Sequence, residues 1–332
     1  MAGDPWILTL NAGSSSLKFA AFSPDGDRIA GGQVATSVQE ALAQLDIPHP
    51  PSAIGHRIVH GGERSAATLI TPNVRAEIEA AATLAPLHNP PALRVIDAVR
   101  AVYPNVPQYA CFDTAFHASN PPEATTIPIP KPLRDQGIRR YGFHGLSYAS
   151  LVRRFEQITT ATLPRRVLAF HLGAGASLAA IVDGVGVATT MGFSPMDGLV
   201  MATRSGAMDT GAVLHLMREH GLDVEAIDKI LNHESGLLAL AGTGDMKTIL
   251  NSNDPAAKFA VSHYCYWVSR HAGSMIAAMQ GVDGFIFTGG VGENAPQIRE
   301  QILTRLSWAG ELPHWVIPRM RKAKSPMRRG LY

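Results

Sequence analysis

Three short turns rich in small residues stand out in the 332-residue chain: Gly13–Ser16, Gly173–Ser177 and Thr288-Gly-Gly-Val-Gly-Glu-Asn294. Small side chains leave successive backbone amides exposed, and amides that point the same way form a concavity able to hold phosphate oxygens. One such turn is a weak signal; three, two of them placed alike in the chain, favour phosphate. Neither G-x-G-x-x-G opening a dinucleotide fold nor G-x-x-x-x-G-K-[S/T] is present, which disfavours Rossmann dehydrogenases and P-loop enzymes.

Charged side chains in apolar surroundings come next. Arg57 lies in the alternation Ile54-Gly-His-Arg-Ile-Val-His-Gly-Gly-Glu63, where a permanent cation is costly unless an anion or a carboxylate meets it. A buried ion pair explains Arg57 alone equally well. Arg204, in Asp197-Gly-Leu-Val-Met-Ala-Thr-Arg-Ser-Gly206, is placed similarly beside glycine, and Asp113 stands isolated in an apolar run. Two such arginines and three anion-binding turns suit a site that holds several negative charges. Phosphoryl transfer makes that demand, because its catalysis is mostly positioning and electrostatic stabilisation. No His/Cys spacing suggests zinc, and phosphate chemistry prefers a hard, oxygen-coordinated ion such as Mg2+.

These residues need elements to hold them. The apolar run Trp6–Leu10, the polar segment Asn11–Lys18, the run Phe19–Phe22 and the turn Ser23-Pro-Asp-Gly26 predict a β-hairpin with a functional tip. The layout returns as Leu168–Phe170, the tip His171–Leu178, the run Ala179–Val182 and Asp183-Gly184, about half a chain later. Shared order of strand, Gly-Ser turn, strand and Asp-Gly turn points to internal duplication. Helical patterns cover Ala76–Leu84, Leu146–Phe155, Gly211–Glu219 and Lys258–Gln280, so the fold class is α/β with a sheet in each half. Prolines 121, 122, 128, 130 and 132 exclude a continuous helix across 121–132 and place the domain boundary there. The expected division is 1–120, 121–318 and a basic tail at 319–332, with the site between the halves, since ligand sites favour domain interfaces.

Composition excludes other classes. The chain is 46% hydrophobic and 17% charged, which rules out disorder as a description of the whole. No run approaches the ~18 apolar residues of a membrane helix, and the amino-terminal Met-Ala-Gly-Asp lacks the basic start of a signal peptide, so a soluble, cytoplasmic protein is expected. Cys111 and Cys265 are expected to be buried free thiols. The formal charge of +2 hides an imbalance: residues 319–332 hold six bases and no acid, which leaves 23 bases against 27 acids elsewhere. That clustering gives no footprint for nucleic acid or membrane.

Six segments together closely resemble the acetate kinase family: Asn11–Lys18, Gly55–Glu63, Leu84-Ala-Pro-Leu-His-Asn-Pro90, Phe112-Asp-Thr-Ala-Phe-His117, Tyr141-Gly-Phe-His-Gly145 and Phe287–Asn294. The resemblance runs in order from about residue 6 to about residue 306. It implies two duplicated ribonuclease-H-like domains of the actin-like ATPase type, and reversible transfer between ATP plus acetate and ADP plus acetyl phosphate. By resemblance, Asn11 would help place Mg2+, with Mn2+ as a substitute, and Ser14, Ser16 and Lys18 would face the transferring phosphate. Arg57 and Arg204 would bind the carboxylate and the developing charge, and His144 would donate a hydrogen bond to the phosphoryl group. Asp113 is the family's essential carboxylate, favoured here as an orienter of an arginine or of the metal shell over a general base. The nucleotide side would be His171, Leu172, Gly173, Ala174, Gly175, Asp245, Met246, Lys247, Gly290, Val291, Gly292, Glu293 and Asn294. Val59, Leu87, Phe143 and Pro195 match the family's wall for the acetate methyl, and ordinary core explains them too. His88 matches a position near the site, whereas His56, His60 and His117 are expected to pack or hydrogen-bond around it. The resemblance also implies a homodimer.

Some positions depart from the family pattern. Ala174 stands where Asn is usual, Lys247 where Arg is usual and Ala207 where Asp is usual. After Pro318 the family continues with an acidic motif that completes the Mg2+ site, whereas here the chain is basic; a deletion and reading-frame shift is the expected origin, with reduced activity. Propionate or butyrate kinase, and an impaired nucleotide-binding remnant, are the competing readings. A non-metabolic ATPase module is disfavoured because it leaves Arg57, Asp113 and Arg204 unexplained.

Overall fold

The computed structural model describes residues 4–13, 16–86 and 88–318; Ser14, Leu87 and the basic tail 319–332 lie outside the described residues. The chain forms two compact units, one ending at Ala115 and the other beginning at Phe116.

The first unit is built on a six-stranded sheet of β1 (Ile7–Ala12), β2 (Leu17–Phe22), β3 (Arg28–Val34), β4 (Ala53–Ile58), β5 (Thr68–Leu69) and β6 (Gln108–Phe112), in the order β3-β2-β1-β4-β6-β5. β1, β4 and β6 run parallel, so their carboxyl ends share one edge. Helices α1 (Val38–Leu45), α2 (Pro72–Ala80) and α3 (Asn89–Val102) supply the crossovers. Ser37 and Thr71 cap α1 and α2 by accepting the amides of Glu40 and Val74, which stops each helix at its polar residue. One side of the sheet buries Trp6, Leu8, Leu10, Phe19 and Ile54 with Val95 and Val99 of α3. A second cluster joins Ile58 and Phe112 to Val74, Ile78, Leu93 and Ile96. Each fully buried side chain of this size contributes ~1.5–3 kcal/mol.

In the second unit the short helices α4 (Pro122–Thr125) and α5 (Lys131–Arg134) interrupt the proline-rich segment, and α6 (Gly145–Thr159) leads to the sheet. That sheet holds β7 (Arg166–Leu172), β8 (Ala176–Val182), β9 (Val185–Thr189), β10 (Gly284–Thr288) and β11 (His314–Val316), ordered β11-β10-β7-β8-β9. Both sheets thus begin with an antiparallel three-strand meander and continue from its first strand with two parallel strands, as duplication predicts; the first sheet adds antiparallel β5 at its edge. Even the irregularity in the second hairpin recurs, at Ala21/Phe22 and Ala180/Ile181. β10 is buried at every position because helices cover both faces. The remaining helices are α7 (Thr210–Glu219), α8 (Val224–Lys229), α9 (Gly236–Ala241), α10 (Met246–Leu250), α11 (Pro255–Ala278), α12 (Gly289–Asn294) and α13 (Pro296–Arg305).

Two expectations need correction. Thr288–Asn294 is not an open turn: after Thr288 the chain enters α12 directly, because Gly289 at φ +85° passes so close to β7 that a Cβ would lie 2.4 Å from the Leu172 carbonyl oxygen. Cys265 is a buried free thiol, but Cys111 is only half-buried.

Candidate active site

In the first unit the carboxyl edge of β1, β4 and β6 gathers three of the sequence-selected residues. Ile54, His56 and Ile58 face inward along β4, which turns Arg57 to the other side. Its Nε donates to both carboxylate oxygens of Asp113 at 3.1 Å, and its Nη2 donates to Asp113 Oδ2. Nη1 donates to Asn11 Oδ1 at 3.2 Å. The Arg57 side chain keeps 35% exposure while Asp113 keeps 3%, so the cation reaches solvent and the carboxylate behind it does not. The Asp113 charge raises the guanidinium further above its usual value. Lys18 is the cross-strand partner of Asn11 and shares its face of the sheet. The Gly13 amide donates to the Ser16 carbonyl at 2.8 Å and closes the hairpin tip.

Two neighbouring histidines, His56 and His60, are buried. His56 Nε2 donates to Gln108 Oε1 at 2.7 Å, and burial lowers its pKa to about 4. Burial lowers His60 to about 4 as well, and its Nδ1 accepts the Gly62 amide. Val59 is buried directly after β4, and the His88 amide donates to Ala85 just ahead of α3.

The second unit gathers His144, His171, Gly175, Arg204 and Pro195. His144 adopts the left-handed conformation, φ 59°, at the start of α6. A non-glycine residue is held there only by its surroundings. His117 Nε2 donates to the Phe143 carbonyl at 2.9 Å, and Phe143 itself is buried. His144 Nδ1 lies 2.9 Å from Ser177 Oγ, and its ring stacks on His171 with centroids 4.2 Å apart. A Cβ placed on Gly175 would lie 3.3 Å from His144 Nε2 and 4.0 Å from Arg204 Nη1, so the ends of these two side chains flank the Gly173–Gly175 turn. Arg204 Nη1 donates to the Pro195 carbonyl at 3.1 Å, which joins a proposed wall residue to a proposed charge-stabilising one.

The nucleotide-side residues also converge. The Gly173 amide closes its turn on the Gly175 carbonyl at 3.0 Å, and the Ala202 amide donates to Ala174 at 3.0 Å. A Cβ on Gly173 would lie 3.6 Å from the Gly290 amide nitrogen, and one on Gly292 would lie 3.7 Å from Leu172. Val291 and Glu293 continue α12, and Asn294 Nδ2 donates back to the Gly290 carbonyl. Asp245 accepts the Lys247 and Thr248 amides and the Thr248 hydroxyl; it is the amino-terminal cap of α10, with Met246 buried beneath. Those bonds, led by the Thr248 hydroxyl, hold its pKa below the usual carboxylate value.

Several contributors escaped the sequence. Ser147 Oγ meets His171 Nδ1 at 2.9 Å, and Tyr148 Oη meets Ser177 Oγ at 2.6 Å. Arg140 donates to Asp197 at 2.8 Å, and the Tyr141 and Gly142 amides both donate to Gly192, so the segment before His144 is tied to the loop carrying Pro195. Ser177 and Tyr148 sit at positions that pattern alone assigns to a turn and to core. A Ser beside the Gly turn and a Tyr four residues after His144 were the available signals.

A resident metal fits these residues poorly. Among the described residues no group of three or more His, Cys, Asp and Glu side chains is placed to hold one. The Asn11 oxygen expected to help place Mg2+ already accepts from the Arg57 cation.

The acetokinase family model matches residues 34–313. The chain belongs to the acetokinase family. Among its acetokinase relatives, an acetate kinase of Rhodopseudomonas palustris is 40% identical over 92% of this chain and 87% of its own length. One from Rippkaea orientalis is 41% identical over 92% of this chain and 77% of its own. The solved acetate kinase of Porphyromonas gingivalis superposes with TM-score 0.87 at 31% identity, covering 95% of this chain and 96% of its own. A propionate kinase from Francisella tularensis gives 0.84 at 33% identity, covering 91% and 88%. This acetokinase therefore carries the α/β actin-like ATPase fold that the family resemblance implied, with the duplication read from its repeat. No helix among its described residues is long and apolar enough to cross a membrane.

Proposed function

We propose that this protein transfers the γ-phosphoryl group of ATP to acetate, reversibly. An acetate oxygen forms a bond to the γ-phosphorus, the bond from that phosphorus to the β,γ-bridging oxygen breaks, and ADP leaves with the electron pair. Acetate is already an anion, so it needs charge neutralisation and alignment rather than a base. The observation that carries this reading is Arg57, a part-exposed cation locked by Asp113 on two of its nitrogens and by Asn11 on the third. A guanidinium so fixed suits a planar carboxylate. Asp113 is spoken for by that pair and serves as orienter, not as proton acceptor.

His144 and Arg204 would stabilise charge on the phosphoryl group, and the Gly173–Gly175 turn with the first amides of α12 would hold nucleotide phosphates. Ser14, Ser16 and Lys18 would face phosphate, and Val59, Leu87, Phe143 and Pro195 would enclose the methyl group. Mg2+ belongs to the nucleotide substrate, where it offsets phosphate charge while keeping most of its water ligands. Homodimeric assembly and a cytoplasmic location are parts of the same proposal.

Trapping acyl phosphate as its hydroxamate tests the reading with acetate, propionate and butyrate in parallel. Acetate is expected to give the highest kcat/KM. A preference for propionate, the substrate named for the Francisella tularensis relative, would move the assignment one methylene up. Failure with all three acids while ATP still binds would favour the impaired remnant.

A further inference from the structure

We infer that Ser177 and Tyr148 are positioning residues that hold His144 as the neutral tautomer protonated on Nε2. The inference rests on the reading of His144 as donor to the transferring phosphoryl group. Tyr148 stands four residues after His144 on α6, and Ser177 is the second residue of β8, paired in register with His171. Their side chains form one file: Tyr148 Oη to Ser177 Oγ at 2.6 Å, then Ser177 Oγ to His144 Nδ1 at 2.9 Å. Tyr148 and Ser177 are both fully buried, so water cannot complete their hydrogen bonding.

The file has a direction. The phenol hydrogen of buried Tyr148 needs an acceptor, and among the described residues Ser177 Oγ, 2.6 Å away, is the side-chain oxygen beside it. Turning the serine hydrogen toward Tyr148 would strand the phenol hydrogen in an apolar core. Ser177 therefore accepts from Tyr148 and donates to His144 Nδ1. A ring nitrogen that accepts carries no proton, so the neutral ring bears its proton on Nε2, the nitrogen nearest Gly175. The two hydroxyls thus aim a donor at the turn that faces phosphate, and they act only through His144.

Nitrogen-15 NMR of the labelled full chain at neutral pH tests this, with His144→Asn used to identify the His144 signals. The wild type is expected to show an unprotonated Nδ1 and a protonated Nε2. Tyr148→Phe and Ser177→Ala are expected to put a proton on Nδ1 in part of the population and to lower kcat about tenfold, since a positioned proton donor is worth ~10²–10⁴-fold. KM for ATP and for acetate should stay within about twofold, as expected when only a transition-state contact is lost. Ser177→Thr, which keeps the hydroxyl, should restore both the tautomer and most of the rate. A wild-type Nδ1 that carries the proton overturns the inference. So does loss of kcat in Tyr148→Phe with an unchanged tautomer, the mark of a packing role. Absence of acyl phosphate from the wild type would instead sink the functional reading, because the spectrum decides the tautomer without turnover.

Discussion

Asp113 grips Arg57 along one edge of the guanidinium, taking Nε on both carboxylate oxygens at 3.1 Å and Nη2 on Oδ2. A carboxylate used in this way fixes the plane of the fork. Replacement by Asn keeps the shape but removes the charge and one acceptor. Asp113→Asn should lower kcat/KM for acetate by about 10²-fold, roughly what a mispositioned reactant costs. The stability loss should be only about 1–2 kcal/mol, because Arg57 is part-exposed and solvent screens it. Steady-state kinetics beside urea denaturation separate the two; a large stability loss with normal kcat/KM would contradict the positioning role.

Gly142 sets the approach to His144. It sits at φ +74°, and a Cβ there would lie 2.7 Å from the His117 ring and 2.6 Å from Thr189. Gly142→Ala should cost about 2–4 kcal/mol, combining the left-handed penalty with a backbone shift. His117 would be displaced from the Phe143 carbonyl, so residual folded protein should also turn over slowly. Denaturation and the hydroxamate assay on the same preparation check both effects.

Acid should destabilise the first unit through His56 and His60. Burial lowers both from 6.5 to about 4, so the unfolded chain binds protons that the native one refuses. Their contribution is complete above pH 6.5 and is lost as pH falls toward 4, up to ~3 kcal/mol each. The melting temperature should fall over that window. His56→Gln, which keeps a polar end for Gln108, should flatten the slope; an equally steep slope in the variant would assign the acid sensitivity elsewhere.

Ala174 gives the Gly173–Gly175 turn a methyl group where the family resemblance implies a side-chain amide. The backbone turn survives, closed at 3.0 Å and braced by Ala202. Ala174→Asn should therefore lower KM for ATP about three- to tenfold, the worth of one added polar contact, with KM for acetate unchanged. An unchanged or higher KM for ATP would show that the turn has no place for an amide.

Much of the fold was legible because it is local. Alternating apolar residues around Gly13–Ser16 and Gly173–Gly175 require strand, turn and strand whatever surrounds them, and the repeat of that pattern announced two similar sheets. The helices of 145–159 and 255–278 followed from periodicity of the same short range. Asp245 was harder to place, since an Asp before a helix serves a cap and a ligand site equally well, and α12 was mistaken for an open turn because glycines favour both.

By itself, the sequence determined where strands, turns and one buried-sheet arginine must occur, since backbone preference and burial act over a few residues. Tertiary structure alone decided which groups meet. Arg57 finds Asp113 across 56 residues because β4 and β6 are parallel neighbours, and His144 finds Ser177 across 33 because α6 starts beside the β8 turn. Charge pairing and proton direction depend on those distances, and distances between remote residues exist only once the sheet has formed.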